Sequence, residues 1–218
     1  MITSSDAEYK ATRQIKRGIA QLVAPFDELA AWIGDKWAVT VLNVIYDPCN
    51  ELHAPRLQVV LEHQKDSESF RDGFNFDHEK QRAIALRFMG MITRQSVHRY
   101  DVEGLFVVFS AFSPIARQDA DSKIPDQEIE ALKLRIANPD LWTISRFFAH
   151  PTFMFYTDAQ AKAYAVAGKR EAYAHQYFKI LKQYDEFGYI SEDGFAVQFD
   201  SKQNFDENYK SNWYNYYR

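Results

Sequence analysis

Apolar positions near the amino end recur at helical spacing: Ile15, Ile19, Leu22 and Val23 follow the capping candidates Ser4, Ser5 and Asp6. Pro25 suits the first position of a second helix over 26–33, closing at Gly34, with Trp32 and Trp37 packing it onto a sheet. Residues 38–46 are rich in β-branched side chains and predict a strand. Asp47, Pro48, Cys49 and Asn50 supply turn chemistry. A second strand follows over 56–63, with Leu57, Val59 and Leu61 on one face. Residues 64–72 are polar and predict a loop or single turn. Asp77 then caps a helix over His78–Arg94, whose apolar face includes Ile84, Phe88, Met91 and Ile92.

The most apolar run, 104–112, predicts a strand buried on both faces. Residues 113–124 are polar and predict a linker. Pro125 opens a helix carrying Ile129, Leu132, Leu134 and Ile136. Asn138 and Pro139 then pattern as the cap and first position of another helix over 141–148, ended by Pro151. A short strand is predicted over 152–156, a helix over 159–167 capped by Thr157 or Asp158 and closed by Gly168, and a long helix over 170–184. Residues 187–190 and 195–200, joined through Asp193–Gly194, predict a hairpin. The remainder, 201–218, predicts a helix and then a last edge strand near 213–217.

This order implies an α+β fold: a mixed or antiparallel central sheet of about five to six strands covered by helices. It is one domain over 1–218, with a soft division near 113–125. No internal repeat is visible along the chain.

Composition changes this picture in one region. The 218 residues hold 34 aromatics, and 21 of them fall in 142–218. The net charge of −4 has a similar address: residues 184–218 hold seven acids against three bases, and 1–100 balance at 13 each. Phosphate neutralisation needs a basic face, so nucleic acid is not expected as a partner. The one cysteine, Cys49, excludes an intramolecular disulfide and a cysteine zinc cluster, and reads as a turn residue rather than a nucleophile. The amino end lacks a signal-peptide pattern and no apolar run spans a membrane, so the chain is expected in the cytoplasm.

Glycine-rich phosphate loops, His-Glu-x-x-His and Gly-x-Ser-x-Gly are absent, and no two of the six histidines lie closer than ten positions. No cofactor and no metal are expected. Asp185 and Glu186, set between Tyr184, Phe187 and Tyr189, read as a solvated helix end or as a carboxylate with apolar neighbours. His150 sits in an aromatic stretch at a predicted junction. Tyr209, Trp213, Tyr214, Tyr216 and Tyr217 lie among Asn, Asp and Lys, as half-wet interface rings do.

The expected function is therefore non-enzymatic protein binding or regulation, toxin neutralisation being one form. It uses an acidic, aromatic carboxy-terminal surface of Asp185, Glu186, Tyr189, Tyr209, Trp213, Tyr214, Tyr216, Tyr217 and His150. The expected partner is a protein with a basic face, or a second copy in a homodimer. The alternative is a hydrolase or transferase without a linear motif, using His150 or His175 with Asp185 or Glu186.

Overall fold

Ten helices and eight strands are present among residues 3–48, 54–94 and 99–218, which this computed structural model describes. Cys49, His53 and His98 lie outside the described residues. The chain divides into two compact units, Met1–Ile115 and Ala116–Arg218.

In the first unit, helices α1 (Ala7–Lys16) and α2 (Phe26–Trp37) precede strands β1 (Val41–Asp47) and β2 (Arg56–Leu61). A short helix α3 (Gln64–Glu68) and a two-stranded ribbon, β3 (Arg71–Asp72) and β4 (Asn75–Phe76), lead to α4 (His78–Arg94) and β5 (Phe106–Ala111). The sheet order is β1-β2-β5, with β1 antiparallel and β5 parallel to β2. The strand buried on both faces is therefore β2, in the middle. The more apolar β5 lies at the edge and alternates, leaving Phe106 exposed. Leu29, Ile33, Leu57, Leu61, Phe70, Ile84 and Phe88 form a core with no exposed surface. Each such side chain stabilises the fold by about 1.5–3 kcal/mol. Two buried side-chain amides are paired: Asn43 donates to Thr12 Oγ1 at 3.0 Å, and Gln58 donates to Ser110 Oγ at 3.0 Å.

The unit boundary falls inside α5 (Phe112–Ser122), which occupies the stretch expected to be a linker. Phe112, Ile115, Ala116 and Ala120 are buried at helical spacing, and Pro114 sits in the first turn, where no amide donor is needed.

In the second unit, α6 (Asp126–Ile136) is followed by β6 (Leu141–Phe147) and β7 (His150–Phe155), then α7 (Asp158–Val166), α8 (Lys169–Tyr184) and β8 (Gln198–Ser201). Helices α9 (Lys202–Tyr209) and α10 (Trp213–Tyr216) complete it. The sheet order is β6-β7-β8, with β6 antiparallel and β8 parallel to β7.

Four expectations are corrected here. The helix expected over 141–148 is strand β6, because Asn138 Oδ1 accepts from Asp140 N at 2.9 Å and turns the chain into a strand instead of capping a helix. The hairpin expected over 187–200 does not form. Residues 187–190 are held as a turn, and 198–201 pair with β7. The tail contains a second helix where a last strand was expected. One central sheet of five or six strands is likewise not found among the described residues. Each unit closes its own three-stranded sheet around its own core.

The two units share an order of elements that residue identities do not reveal. In each, two helices precede an antiparallel pair, two more helices follow, and the last strand runs parallel to the middle one. The first helix of the second unit is the carboxy-terminal part of α5. Helices α2 and α6 both end on a left-handed alanine, Ala38 at φ 54° and Ala137 at φ 51°. Both antiparallel pairs carry a bulge at the start, at 41–43 and 141–143. Both parallel ladders end immediately before a helix, at Leu61 opposite Ala111 and at Phe155 opposite Ser201. The ribbon β3–β4 has no counterpart in the second unit.

Candidate binding surface

The second unit gathers the tail aromatics onto β6. The bulge at Leu141/Thr143 leaves Trp142 unpaired and shifts the alternation of the strand. Trp142, Ser145 and Phe147 consequently all meet the tail. Ser201 Oγ accepts from Asn204 N at 2.8 Å and starts α9. Lys210 and Ser211, both at positive φ, then turn the chain back, and Asn212 Oδ1 accepts from Tyr214 N at 2.8 Å to start α10.

The rings then stack in sequence. Tyr217 lies 4.3 Å from Phe147 with planes 13° apart, Trp213 lies 5.8 Å from Tyr217, and Trp142 lies 6.1 Å from Trp213. Buried Phe205 packs beneath Trp213 at 4.2 Å. The Tyr217 and Ser145 hydroxyls are 2.6 Å apart, and Tyr216 donates to Asp200. Desolvation raises the pKa of both tyrosines above the usual range, and Asp200 adds to the rise at Tyr216. Tyr209 meets Tyr216 edge-on at 5.0 Å.

Part of this stack remains uncovered. Tyr214 is 71% exposed, Phe148 51%, Phe147 38% and Trp213 37%. A groove of about 460 Å³ runs between Arg146, Phe147, Trp213, Tyr214, Tyr217 and Arg218. Its wall ends at the two-residue turn between β6 and β7, where Phe148 and Ala149 adopt φ 49° and 61°. A turn with two positive φ values favours Asn and Gly, so a phenylalanine here holds backbone strain while it projects its ring into solvent.

Tyr209, Trp213, Tyr214, Tyr216 and Tyr217 are therefore brought together. Asp185, Glu186 and Tyr189 belong to another feature, the turn after α8. There Asp185, its side chain 4% exposed, accepts from Tyr189 N and Ile190 N at 3.0 Å each and from Lys182 Nζ at 2.7 Å. Glu186 is exposed on the same turn. His150 is exposed at the start of β7, opposite Phe147. His175 Nδ1 pairs with Glu192 rather than with Asp185. The tail acids are largely taken up within the unit: Glu192 by His175, Asp200 by Tyr216 and Asn204, and Asp206 by Lys202 and Ser211.

Sequence reasoning did not place Trp142, Ser145, Arg146, Phe147, Phe148 or Arg218 on this surface. The missing step was the strand over 141–147. Arg146 also fixes the unit beneath, donating to the Asp121 and Ile124 carbonyls at 3.0 Å each and to Asp126 Oδ1 at 2.7 Å.

Among the described residues there is no cluster of three or more metal-ligating side chains, and no helix is long and apolar enough to cross a membrane. The chain matches no protein-family model, and comparison with curated proteins and with solved structures finds none similar.

Proposed function

We propose that the protein acts by binding another protein through the aromatic surface of its second unit. The observation that carries this reading is the uncovered part of the ring stack: Phe147, Trp213 and Tyr214 expose apolar surface along one groove, and half-exposed Phe148 packs against Phe147 beside it. With aromatic side chains of about 150–250 Å² each, the exposed fractions amount to roughly 400 Å², within the ~300–600 Å² of a monomer's largest patch, which is often functional. Tyr and Trp with rigid supports are the residues that dominate such contacts. Regulation or neutralisation of the bound protein requires nothing beyond this surface. Asp185, Glu186, Tyr189 and His150 are not needed for the contact, and the alternative of a hydrolase gains no support from the His175–Glu192 pair, both of whose side chains are about half exposed.

The test is site-specific photocrosslinking in the native cell. A photoreactive phenylalanine analogue is placed at Phe148 or Tyr214, and at Val166 as an exposed control in the same unit. One discrete adduct from the first two positions and none from Val166 is expected. Uncrosslinked monomer at every position, or the same adducts from all three, overturns the reading.

A further inference from the structure

On the first unit, cations and aromatic rings alternate where α2 and α4 meet. Trp32 and Trp37 lie edge-on to each other, with ring centroids 5.4 Å apart and planes at 82°. The Lys36 ammonium lies over both, 5.0 Å from the Trp32 ring and 5.2 Å from the Trp37 ring. From α4, the Arg87 guanidinium lies 5.5 Å from the same Trp32 ring. The two charges are therefore separated by no more than about 10 Å, the Debye length at ~0.1 M salt, and act together on an approaching ion.

Neither charge is neutralised. Among the described residues no carboxylate pairs with Lys36 or Arg87, the neighbouring Asp35 included. Lys80 shows the contrast. It too lies over a ring, 5.1 Å from Phe70, but its ammonium is taken up by Asp77 at 3.2 Å and by the Ser69 carbonyl. A ring face attracts a cation without cancelling its charge. Arg87 also lacks acceptors: its Nε is buried and unpaired, and its terminal nitrogens, which bond nothing among the described residues, reach solvent. A buried N–H left unpaired is costly, so the ring holds this guanidinium in place at the expense of a hydrogen bond.

We propose that Lys36 and Arg87, held on Trp32, form a binding site for a single phosphate group, free or as the monoester of a small molecule. Charge selects the ligand class. Two uncompensated positive charges match a phosphate monoester, which carries about −1.5 to −2 near neutrality, better than a singly charged carboxylate. The guanidinium offers phosphate oxygens a planar fork of donors, and the ammonium adds a compact point charge. The rings fix both cations beforehand, which lowers the ordering cost of binding. A nucleic-acid strand needs a row of such sites, and the even balance of acids and bases over 1–100 does not supply one. The site is independent of the protein-binding reading above.

The experiment titrates the full chain with inorganic phosphate, with glycerol phosphate as a monoester, with acetate and with chloride, all at one ionic strength. The indole N–H resonances of the four tryptophans are followed. Saturable shifts at Trp32 and Trp37 with phosphate or the monoester, and none at Trp142 or Trp213, are expected. The tighter of the two ligands identifies the source of the group. Lys36→Gln, at an exposed position, should weaken binding about tenfold, the ordinary loss of one charge-assisted hydrogen bond. Arg87→Lys keeps the charge but loses the fork, and should weaken binding by a smaller factor. Equal shifts with acetate or chloride, shifts at all four tryptophans, or full affinity in Lys36→Gln overturn the proposal. No shift with either phosphate ligand overturns it as well.

Discussion

Tyr217 lies flat on Phe147, with ring centroids 4.3 Å apart, and its hydroxyl reaches the Ser145 hydroxyl two positions back along the same strand. One residue of the tail is thus tied to β6 by a stack and by a hydrogen bond. The two contributions separate by mutation. Tyr217→Phe keeps the stack and should cost about 1 kcal/mol, the ordinary value of a hydrogen bond. Tyr217→Ala removes both and should cost about 2–3 kcal/mol. Urea denaturation followed by near-ultraviolet circular dichroism measures the difference. An alanine variant as stable as the parent would mean that the tail does not close the sheet.

Phe148 and Ala149 form the turn that most sequences would build from Asn and Gly. Left-handed backbone costs an ordinary residue about 1–2 kcal/mol. Replacing Phe148–Ala149 by Asn–Gly should therefore raise stability by roughly 1–2 kcal/mol, while weakening the crosslink from Tyr214. Phe148→Ala should weaken the same crosslink without the gain in stability. No gain from Asn–Gly would show that the turn is unstrained and that Phe148 is not held there at a cost.

Sequence patterning located the elements whose signals are local. The cap Asp77 and the apolar face from Ile84 to Ile92 defined α4, Pro125 defined the start of α6, and Thr157 opens α7 with a full capping box to Gln160. It failed where one local signal serves two outcomes. Asn138 makes the same kind of side-chain contact at a strand entry as at a helix start. Asp193–Gly194 suggested a hairpin, yet Gly194 at φ 80° turns the chain between flanks that never pair. Strand β8 depends on β7, more than forty residues earlier in the chain, and the sharing of strands between two sheets depends on such distant pairings. The tail half of the surface was legible in its rings. The β6 half depends on the bulge at Trp142 and on the positive φ of Phe148, neither of which has a residue signature here. Counting acids likewise does not show that Asp185, Asp200 and Asp206 accept hydrogen bonds within the unit.

Asp77 Oδ1 accepts from Glu79 N at 3.0 Å and from Lys80 N at 3.1 Å, and the Lys80 ammonium lies 3.2 Å from the other carboxylate oxygen. The hydrogen bond from the Lys80 amide, followed by the Lys80 side chain, holds the carboxyl below its ordinary pKa of 3.8. A lowered folded pKa stabilises the protein above the ordinary value, and that stability is lost as pH falls through the folded value. Asp77→Ala should cost about 1 kcal/mol near neutrality, and Asp77→Asn only part of that. The deficit of the alanine variant should narrow as pH falls below about 4, measured by urea midpoints. A deficit independent of pH would mean that the charge contributes nothing to the cap.

Asp121 behaves in the opposite sense. It is buried in the second unit, accepts from the Tyr177 hydroxyl, and faces the charges of Arg146 and His150. Burial raises its pKa above the ordinary 3.8, outweighing the lowering by Tyr177, Arg146 and His150. The folded state therefore holds the proton more tightly than the unfolded chain does, and stability falls as pH rises from about 4 through the folded value. Asp121→Asn keeps an acceptor for Tyr177 and removes the charge. It should match the parent near pH 4 and equal or exceed it near pH 7. Asp121→Ala leaves the buried Tyr177 hydroxyl without its acceptor and should cost about 1–3 kcal/mol throughout. Urea midpoints at the two pH values decide the matter. An asparagine variant that is weaker than the parent only at neutral pH would show that the charged carboxylate, in the field of Arg146, is the stabilising form.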